Sequence, residues 1–598
     1  MSENSKSSPS FGKIMLASGV GTLIVLILVG IFKLMMFMGI IGSVSKSSEP
    51  VISKQAFLKI DLTKSINERT PADLDAMFDN GSSIGFNDLL RSINNASDDD
   101  NITGIYLYMG SAYPMSWGMS EELRQALKNF MNSGKPVLAY ADGYSQQAYF
   151  LASVADSIYM NPSGLLQFSG IAAEALFFKD LLDRMDVHMT LVRPKSNSFK
   201  SAGETYTMNH MSDANRTQIR QYIASIWDYA VEQIGESRDI SAEELNTMAD
   251  NLSACLPDDA LNARLVDRLC FENDIKNTMK EAYNSTATVN AADYAKSIKR
   301  DFSASNRIAV IYAQGDVVDG SGFNTAVYSD KITKALVDAA NDDNIKAIVL
   351  RVNSPGGQVT ASEVMTNAVM RAKQKKPVIV SMSDLAASAG YEISCNANYI
   401  VAEPTTITGS IGVFATIPEL GTTLKKHVGI TSDTAMTNAN ATALSVMRPM
   451  SPRTMELMQR NVEEFYTVFV NRVAKGRNLR PAFVDSIARG RVWTGRDALK
   501  LGLVDALGGL DDAIAIAADS AQLTDYAVID YPANESLLND LLNRKNGSSG
   551  TAQYNTQPFL FPSNGLWLPT NLINKTLRQI CETRGLQARL DFFILEDF

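Results

Sequence analysis

A chain of 598 residues exceeds what one hydrophobic core holds, so at least two domains are expected. Apolar residues make up 45% and charged residues 20%, the balance of a globular protein, which excludes a disordered or fibrous chain. The net charge of -10 argues against nucleic acid as the main partner.

In chain order, the first feature is Ile14 to Phe32, an uncharged apolar stretch near the length that spans a bilayer. Lys33 interrupts it, and Leu34 to Gly42 continues apolar. Ser43-Val44-Ser45 is a weak small-x-small cleavage site, but the stretch is longer than the roughly 7–15 residues of a signal peptide core. Residues 1–54 therefore read as a short N-terminal tail and an uncleaved transmembrane helix. Lys6 and Lys13 precede the stretch while Lys33, Lys46 and Lys54 follow it, so charge does not decide its orientation.

Beyond the anchor the chain alternates short β-rich runs with segments of helical period, an α/β pattern. Ile308–Tyr312, Ala347–Val352 and Val378–Met382 are predicted strands. Ser362–Lys375, Arg216–Ile234 and Thr454–Lys475 are predicted helices, the last two long. After about Ala521 the pattern fades. Asn546-Gly547-Ser548-Ser549-Gly550-Thr551 has the composition of a linker, and Gly585–Phe598 mixes apolar and charged residues with no assignable role.

The chain also repeats itself. Asp342-Asp343-Asn344-Ile345 runs through an apolar strand into Asn353-Ser354-Pro355-Gly356-Gly357, and Asp99-Asp100-Asn101-Ile102 runs through another into Gly110-Ser111-Ala112-Tyr113-Pro114. The same offset, about 240 residues, relates Lys135-Pro136-Val137 to Lys376-Pro377-Val378, Pro162 to Pro404 and Gly170 to Gly412. Leu265-Val266-Asp267 likewise answers Leu503-Val504-Asp505. Two repeats are expected, residues 55–300 and 301–525, followed by a C-terminal extension over 526–598.

The repeats differ where chemistry is at stake. Ser388 lies in Ala386-Ala387-Ser388-Ala389-Gly390, a small-residue run where a strand gives way to a helix. A serine at such a junction is exposed to a substrate backbone, with the next N–H aimed at the developing oxyanion; a helix-capping serine reads the same way. The first repeat has Gln146 there. Gly356 and Gly357 read either as a tight turn or as bare backbone beside that oxyanion, where Tyr113 and Pro114 stand in the first repeat. Together with the Ala389 N–H, the Gly357 N–H would complete a two-donor hole worth about 3–4 kcal/mol per donor.

The serine needs a base. His188, His210 and His427 lie outside any motif. A lysine serves if its pKa, about 10.4 in water, is brought towards neutrality by burial. Lys200 in Ser198-Phe199-Lys200-Ser201-Ala202 is the candidate, although an ordinary solvated lysine has the same sequence signature. Cys255, Cys270, Cys395 and Cys581 lie far apart with no metal-ligand spacing and read as inert thiols.

Together, the tandem halves, Asn353–Gly357, Ala386–Tyr391, Thr408-Gly409-Ser410-Ile411-Gly412 and Phe199–Ala202 resemble the long, two-repeat form of signal peptide peptidase A, whose fold is similar to Clp protease and crotonase. The resemblance implies Ser388 as nucleophile, Lys200 as general base and Ser410 as the residue that orients the lysine. It also implies an oxyanion hole from Gly357 and Ala389, with Gly356 in the substrate-binding loop. Ala389 stands where the family often has glycine. Phe168 stands where the second repeat has Ser410, and no lysine lies between Thr431 and Arg448, the stretch that answers Lys200. Each half thus has what the other lacks, and one site at their junction is expected.

The resemblance implies a membrane-anchored serine endopeptidase that degrades cleaved signal peptides, without metal or cofactor. It further implies a homotetramer, held by a single-pass helix in the cytoplasmic membrane, with its catalytic part on the extracytoplasmic side. A membrane scaffold that binds peptides without cleaving them is the alternative; it would need neither Ser388 nor Lys200.

Overall fold

A computed structural model describes residues 52–70, 84–285, 287–298, 304–322 and 326–533, and the backbone of 587–589. From Ser53 onward the chain forms one compact unit, so the two repeats share a body. The anchor candidate Ile14–Phe32 lies outside the described residues. Among those described, no helix is long and apolar enough to cross a membrane.

The first repeat is built on a parallel sheet of β1 (Ala56–Asp61), β2 (Ile102–Gly110), β3 (Val137–Ala141) and β4 (Ser157–Met160). A ribbon strand, β5 (His188–Val192), leaves this body, and β6 (Arg268–Leu269) and β7 (Ala287–Asn290) close the sheet at its edges. The spatial order is β7-β1-β2-β3-β4-β6.

The second repeat restates this order. It comprises β8 (Arg307–Gln314), the short β9 (Val317–Val318) and β10 (Val327–Tyr328), β11 (Ile345–Ser354), β12 (Gly356–Gln358) and β13 (Val378–Ala387). It continues through β14 (Tyr399–Ala402), β15 (Ile407–Gly409), β16 (Ala415–Glu419), β17 (Val492–Thr494), β18 (Ala506–Leu507) and β19 (Ala527–Tyr531). The parallel path β19-β8-β11-β13-β14-β18 matches the first sheet strand for strand. The sheet runs through Tyr531, beyond the repeat's expected end at residue 525, because β8 needs an outer partner and β19 supplies it just as β7 does for β1.

Parallel strands covered on both faces read as unbroken apolar runs, and β11 is one. Its Ile348, Leu350 and Val352 face the core under the helices Ser329–Asn341 and Val359–Lys373. Ala347 and Val349 face the opposite core, with Leu510, Ala513 and Ala517 of the helix Leu510–Ser520. The predicted helices Arg216–Ile234 and Thr454–Lys475 extend over Asp213–Arg238 and Pro452–Gly476, each capped by a serine, Ser212 and Ser451.

Two features join the repeats. One is an antiparallel ribbon of β5 with β16, in register from His188 opposite Glu419 to Val192 opposite Ala415. The other is a buried cluster of charges. Arg351 of β11 pairs with Glu68 (Nε–Oε2 2.9 Å) and with Glu122 (Nη2–Oε2 2.5 Å), both from the first repeat.

Candidate active site

The site begins with the end of β13. The strand is long enough to pair β14 with its first part and β15 with its last, Ala387 lying opposite Gly409. Ser388 then turns the chain at φ 56° and ψ −116°, a conformation that non-glycine residues rarely adopt, before the helix Ala389–Ser394 begins. Its backbone N–H donates to Gly409 O at 2.8 Å, which fixes the turn against β15. Gly390 must be small, since a Cβ there would sit 2.8 Å from Ser354 O.

Lys200 reaches this turn from the other repeat. Its Nζ lies 2.8 Å from Ser388 Oγ and 3.0 Å from Ser410 Oγ, and it donates to Ser410 O at 3.2 Å. Ser388 and Ser410 are fully buried and Lys200 is 1% exposed. Ser388 Oγ also donates weakly to Gly412 O (3.4 Å). Ser410 is itself held at φ 50°, its N–H bonded to Arg491 O.

The ribbon of β5 and β16 carries Lys200 across the junction, and the loop after it is pinned from both sides. Phe199 N–H donates to Arg489 O at 3.1 Å, and Arg193 Nη1 donates to Lys200 O at 2.7 Å. Arg491 stacks on the Phe199 ring, 3.8 Å from its centroid. Gly490 (φ 82°) lies so close to Lys200 that a Cβ would meet its backbone at 2.5 Å.

Beside the turn runs β12, against which the Ala389–Ser394 helix packs. A Cβ at Gly357 would lie 2.1 Å from Val317 O of β9, so only glycine allows the two strands to approach this closely. Ala389 N–H opens the helix, where the first N–H groups have no acceptor within the helix. Gly356, Gly357, Ser388, Ala389, Ser410 and Lys200 therefore come together in one region at the junction of the repeats.

The first repeat's counterpart is filled in. Gln146 Nε2 donates to Gly170 O at 2.7 Å, and Phe168 is buried against Tyr149 and Trp227. Among the described residues no histidine bonds to Ser388; His427 binds Asp186 at the surface (2.7 Å). Among the described residues no group of His, Cys, Asp or Glu could hold a metal ion.

Several residues around the site have no chemical role assignable from the sequence; Asp384 reads there only as structural, because Asp142 stands at its place in the first repeat. Asp384 accepts from Met119 N (2.9 Å) and Asn353 Nδ2 (3.1 Å), and Asn353 Nδ2 also donates to Glu68 Oε1 (2.8 Å). Asp384 thus ties the nucleophile strand to the first repeat, and burial pushes its carboxyl up from the usual range. Glu392, on the nucleophile's helix, is buried beside Ser362 (2.7 Å) and Arg472. Burial pushes it up to about 7 despite the guanidinium. Only a partner distant in the chain, or a packing contact such as that of Gly490 on Lys200, gives these residues meaning.

The sequence profile of peptidase family S49 matches residues 129–286 and 370–524, one segment in each repeat, and that of Clp protease matches 299–402. Protease 4 of Salmonella typhi is 37% identical over 473 residues, covering 77% of this chain and 76% of its own. The chain belongs to peptidase family S49. It is a serine peptidase, a hydrolase, with two repeats of Clp-protease-like α/β fold, and that sets aside the non-catalytic scaffold. The chloroplastic serine protease SPPA of Arabidopsis thaliana is 27% identical over 549 residues, covering 89% of this chain and 77% of its own. Among solved structures, a membrane-bound stomatin-specific protease in complex with a substrate peptide aligns with 40% of this chain and 97% of its own, at 16% identity and a TM-score of 0.26.

Proposed function

We propose that this S49 peptidase cleaves peptides with a Ser-Lys dyad split between its repeats. The observation that carries the reading is the 2.8 Å approach of Lys200 Nζ to Ser388 Oγ in a buried site. Burial disfavours an ammonium relative to a neutral amine, and a neutral amine is what the base must be.

Ser388 Oγ attacks the scissile carbonyl carbon while its proton passes to Lys200 Nζ. The electron pair of the carbonyl moves to oxygen, and the oxyanion accepts hydrogen bonds from the N–H groups of Gly357 and Ala389. The tetrahedral species collapses as the scissile C–N bond breaks. Lys200 returns the proton to the leaving amine, and an ester to Ser388 remains. Water then attacks that ester with Lys200 again taking the proton, the C–Oγ bond to Ser388 breaks, and Lys200 returns the proton to Ser388 Oγ as the acid product leaves. Ser410 accepts from Lys200 Nζ and keeps the amine aimed at the nucleophile. The peptide lies along β12 with Gly356 against its backbone, by the strand addition that suits an extended, apolar substrate.

The resemblance to signal peptide peptidase A and the apolar stretch Ile14–Phe32 support a wider reading. The enzyme is a single-pass protein of the cytoplasmic membrane with its catalytic part on the extracytoplasmic side. It is a homotetramer, and its substrates are signal peptides left in the membrane after cleavage. Cleavage of casein and of a synthetic signal peptide by the full chain, beside its Ser388→Ala and Lys200→Ala variants, tests the dyad. Both folded variants are expected to be inactive, and full activity in either would refute the assignment.

A further inference from the structure

One segment with no role in the sequence lies at this site. Gln587–Arg589 forms a strand, β20, antiparallel to β12, with Gln587 opposite Gln358, Ala588 opposite Gly357 and Arg589 opposite Gly356. The small sheet runs β10-β9-β12-β20. One edge of β12 is therefore taken by β9, where Gly357 pairs with Val317, and β20 takes the other. A strand has only two edges. With β20 in place, β12 has no edge left on which a peptide could add.

The match to a substrate is one of chemistry as well as place. Strand addition reads the backbone, so any extended segment of suitable side chains competes for it. An exposed edge of bare N–H and C=O groups is a template that proteins usually cover. Here the cover falls on the two glycines beside the nucleophile's helix, and the residue opposite Gly357 is the small Ala588.

We propose that Gln587–Arg589 is a resident, substrate-like occupant of the β12 edge, which a peptide must displace before it is cleaved. This rests on the reading above that peptides bind along β12. Because the segment belongs to the same chain, its local concentration is high and independent of dilution, so it competes with an incoming peptide at every enzyme concentration.

The test uses the full chain carrying Ser388→Ala, so that nothing is hydrolysed, with and without the pair Gln587→Pro and Ala588→Pro. Proline lacks the N–H that a ladder requires, and successive N–H groups point to opposite edges of a strand, so the pair removes the one that faces β12. The probe is a fluorescein-labelled peptide of residues 584–592, followed by anisotropy. The proline pair is expected to bind it at least about fivefold more tightly than the parent, as the tethered competitor is removed. A probe that itself carries both prolines is expected not to bind. Equal affinity of the two proteins, or binding of the proline probe as strong as that of the native one, would overturn the inference. Hydrolysis by the Ser388 forms separates the two readings. The inference predicts a lower KM and an unchanged kcat for the proline pair. Failure of the dyad would instead abolish the expected dependence of hydrolysis on Ser388 and Lys200 while leaving the binding difference intact.

Discussion

Replacing Arg351 with methionine should strike the joint between the repeats. Arg351 is fully buried and satisfies two buried carboxylates, Glu68 and Glu122, besides donating to Ser381 Oγ at 2.8 Å. Glu122 in turn accepts from Leu510 N, so the cluster also fastens the helix Leu510–Ser520. Removing the cation leaves both carboxylates in a dry interior, a loss of about 3–5 kcal/mol when one partner of a buried pair is deleted. The loss should depend on pH. Burial already pushes Glu122 up to about 7 from 4.5, and Arg351 is the main influence pulling it down. Without Arg351 the folded state holds its proton more tightly than the unfolded chain does. The variant's stability then falls as pH rises, and its deficit is smaller at pH 5 than at pH 8. Urea denaturation of parent and variant at the two pH values measures this. Adding Glu68→Gln and Glu122→Gln to Arg351→Met should recover most of the loss at pH 8. An undiminished deficit at pH 5, or no deficit at pH 8, would refute the reasoning.

Other perturbations have equally definite outcomes. Gly490→Ala places a methyl group against the Lys200 backbone at a φ of 82°; a displacement of about 1 Å of the base should lower kcat about a hundredfold with the fold intact by circular dichroism. Ser410→Ala removes a hydrogen-bond partner of Lys200 and should lower kcat by roughly 10- to 150-fold, the equivalent of about 1.5–3 kcal/mol for a bond to a charged group, with little change in KM. Glu392, pushed up to about 7 from 4.5, binds its proton more tightly when folded. Its contribution is full below about pH 4.5 and is lost as pH rises through about 7, on the order of 3 kcal/mol in all. Glu392→Gln should flatten the stability profile over that window, as read by denaturant titration.

Much of the fold was legible because a parallel sheet writes itself as apolar runs, and duplication wrote it twice. Ala347–Val352 could only be a covered strand, and its offset from Ile102–Tyr108 fixed the correspondence of the repeats. The strands at the edges were not legible. Ala527–Tyr531 follows the point where helical and strand periods fade, and only its pairing with β8 makes it part of the sheet. At the site, Ser388 and the Gly356-Gly357 pair stood out through their small neighbours and their absence from the first repeat. Lys200 has no local signal of its own; burial at the junction is a property of the assembled repeats, and the family resemblance pointed to it. Asp384, Arg351 and Glu392 act through partners 80 to 283 positions distant, and no local pattern encodes such a contact. Gln587–Arg589 was opaque for the same reason: three ordinary residues acquire a role only from the strand they meet.

The central claim is that one lysine from the first repeat activates one serine of the second. The most direct measurement is the rate and site of labelling by a fluorophosphonate, read by mass spectrometry on the full chain and on its Lys200→Ala variant. The account predicts a single adduct on Ser388 and, in the variant, labelling of the folded protein slower by at least about a hundredfold, the lower range of a general base's contribution. Labelling of the variant at the parent's rate, or an adduct on a serine other than Ser388, would contradict it.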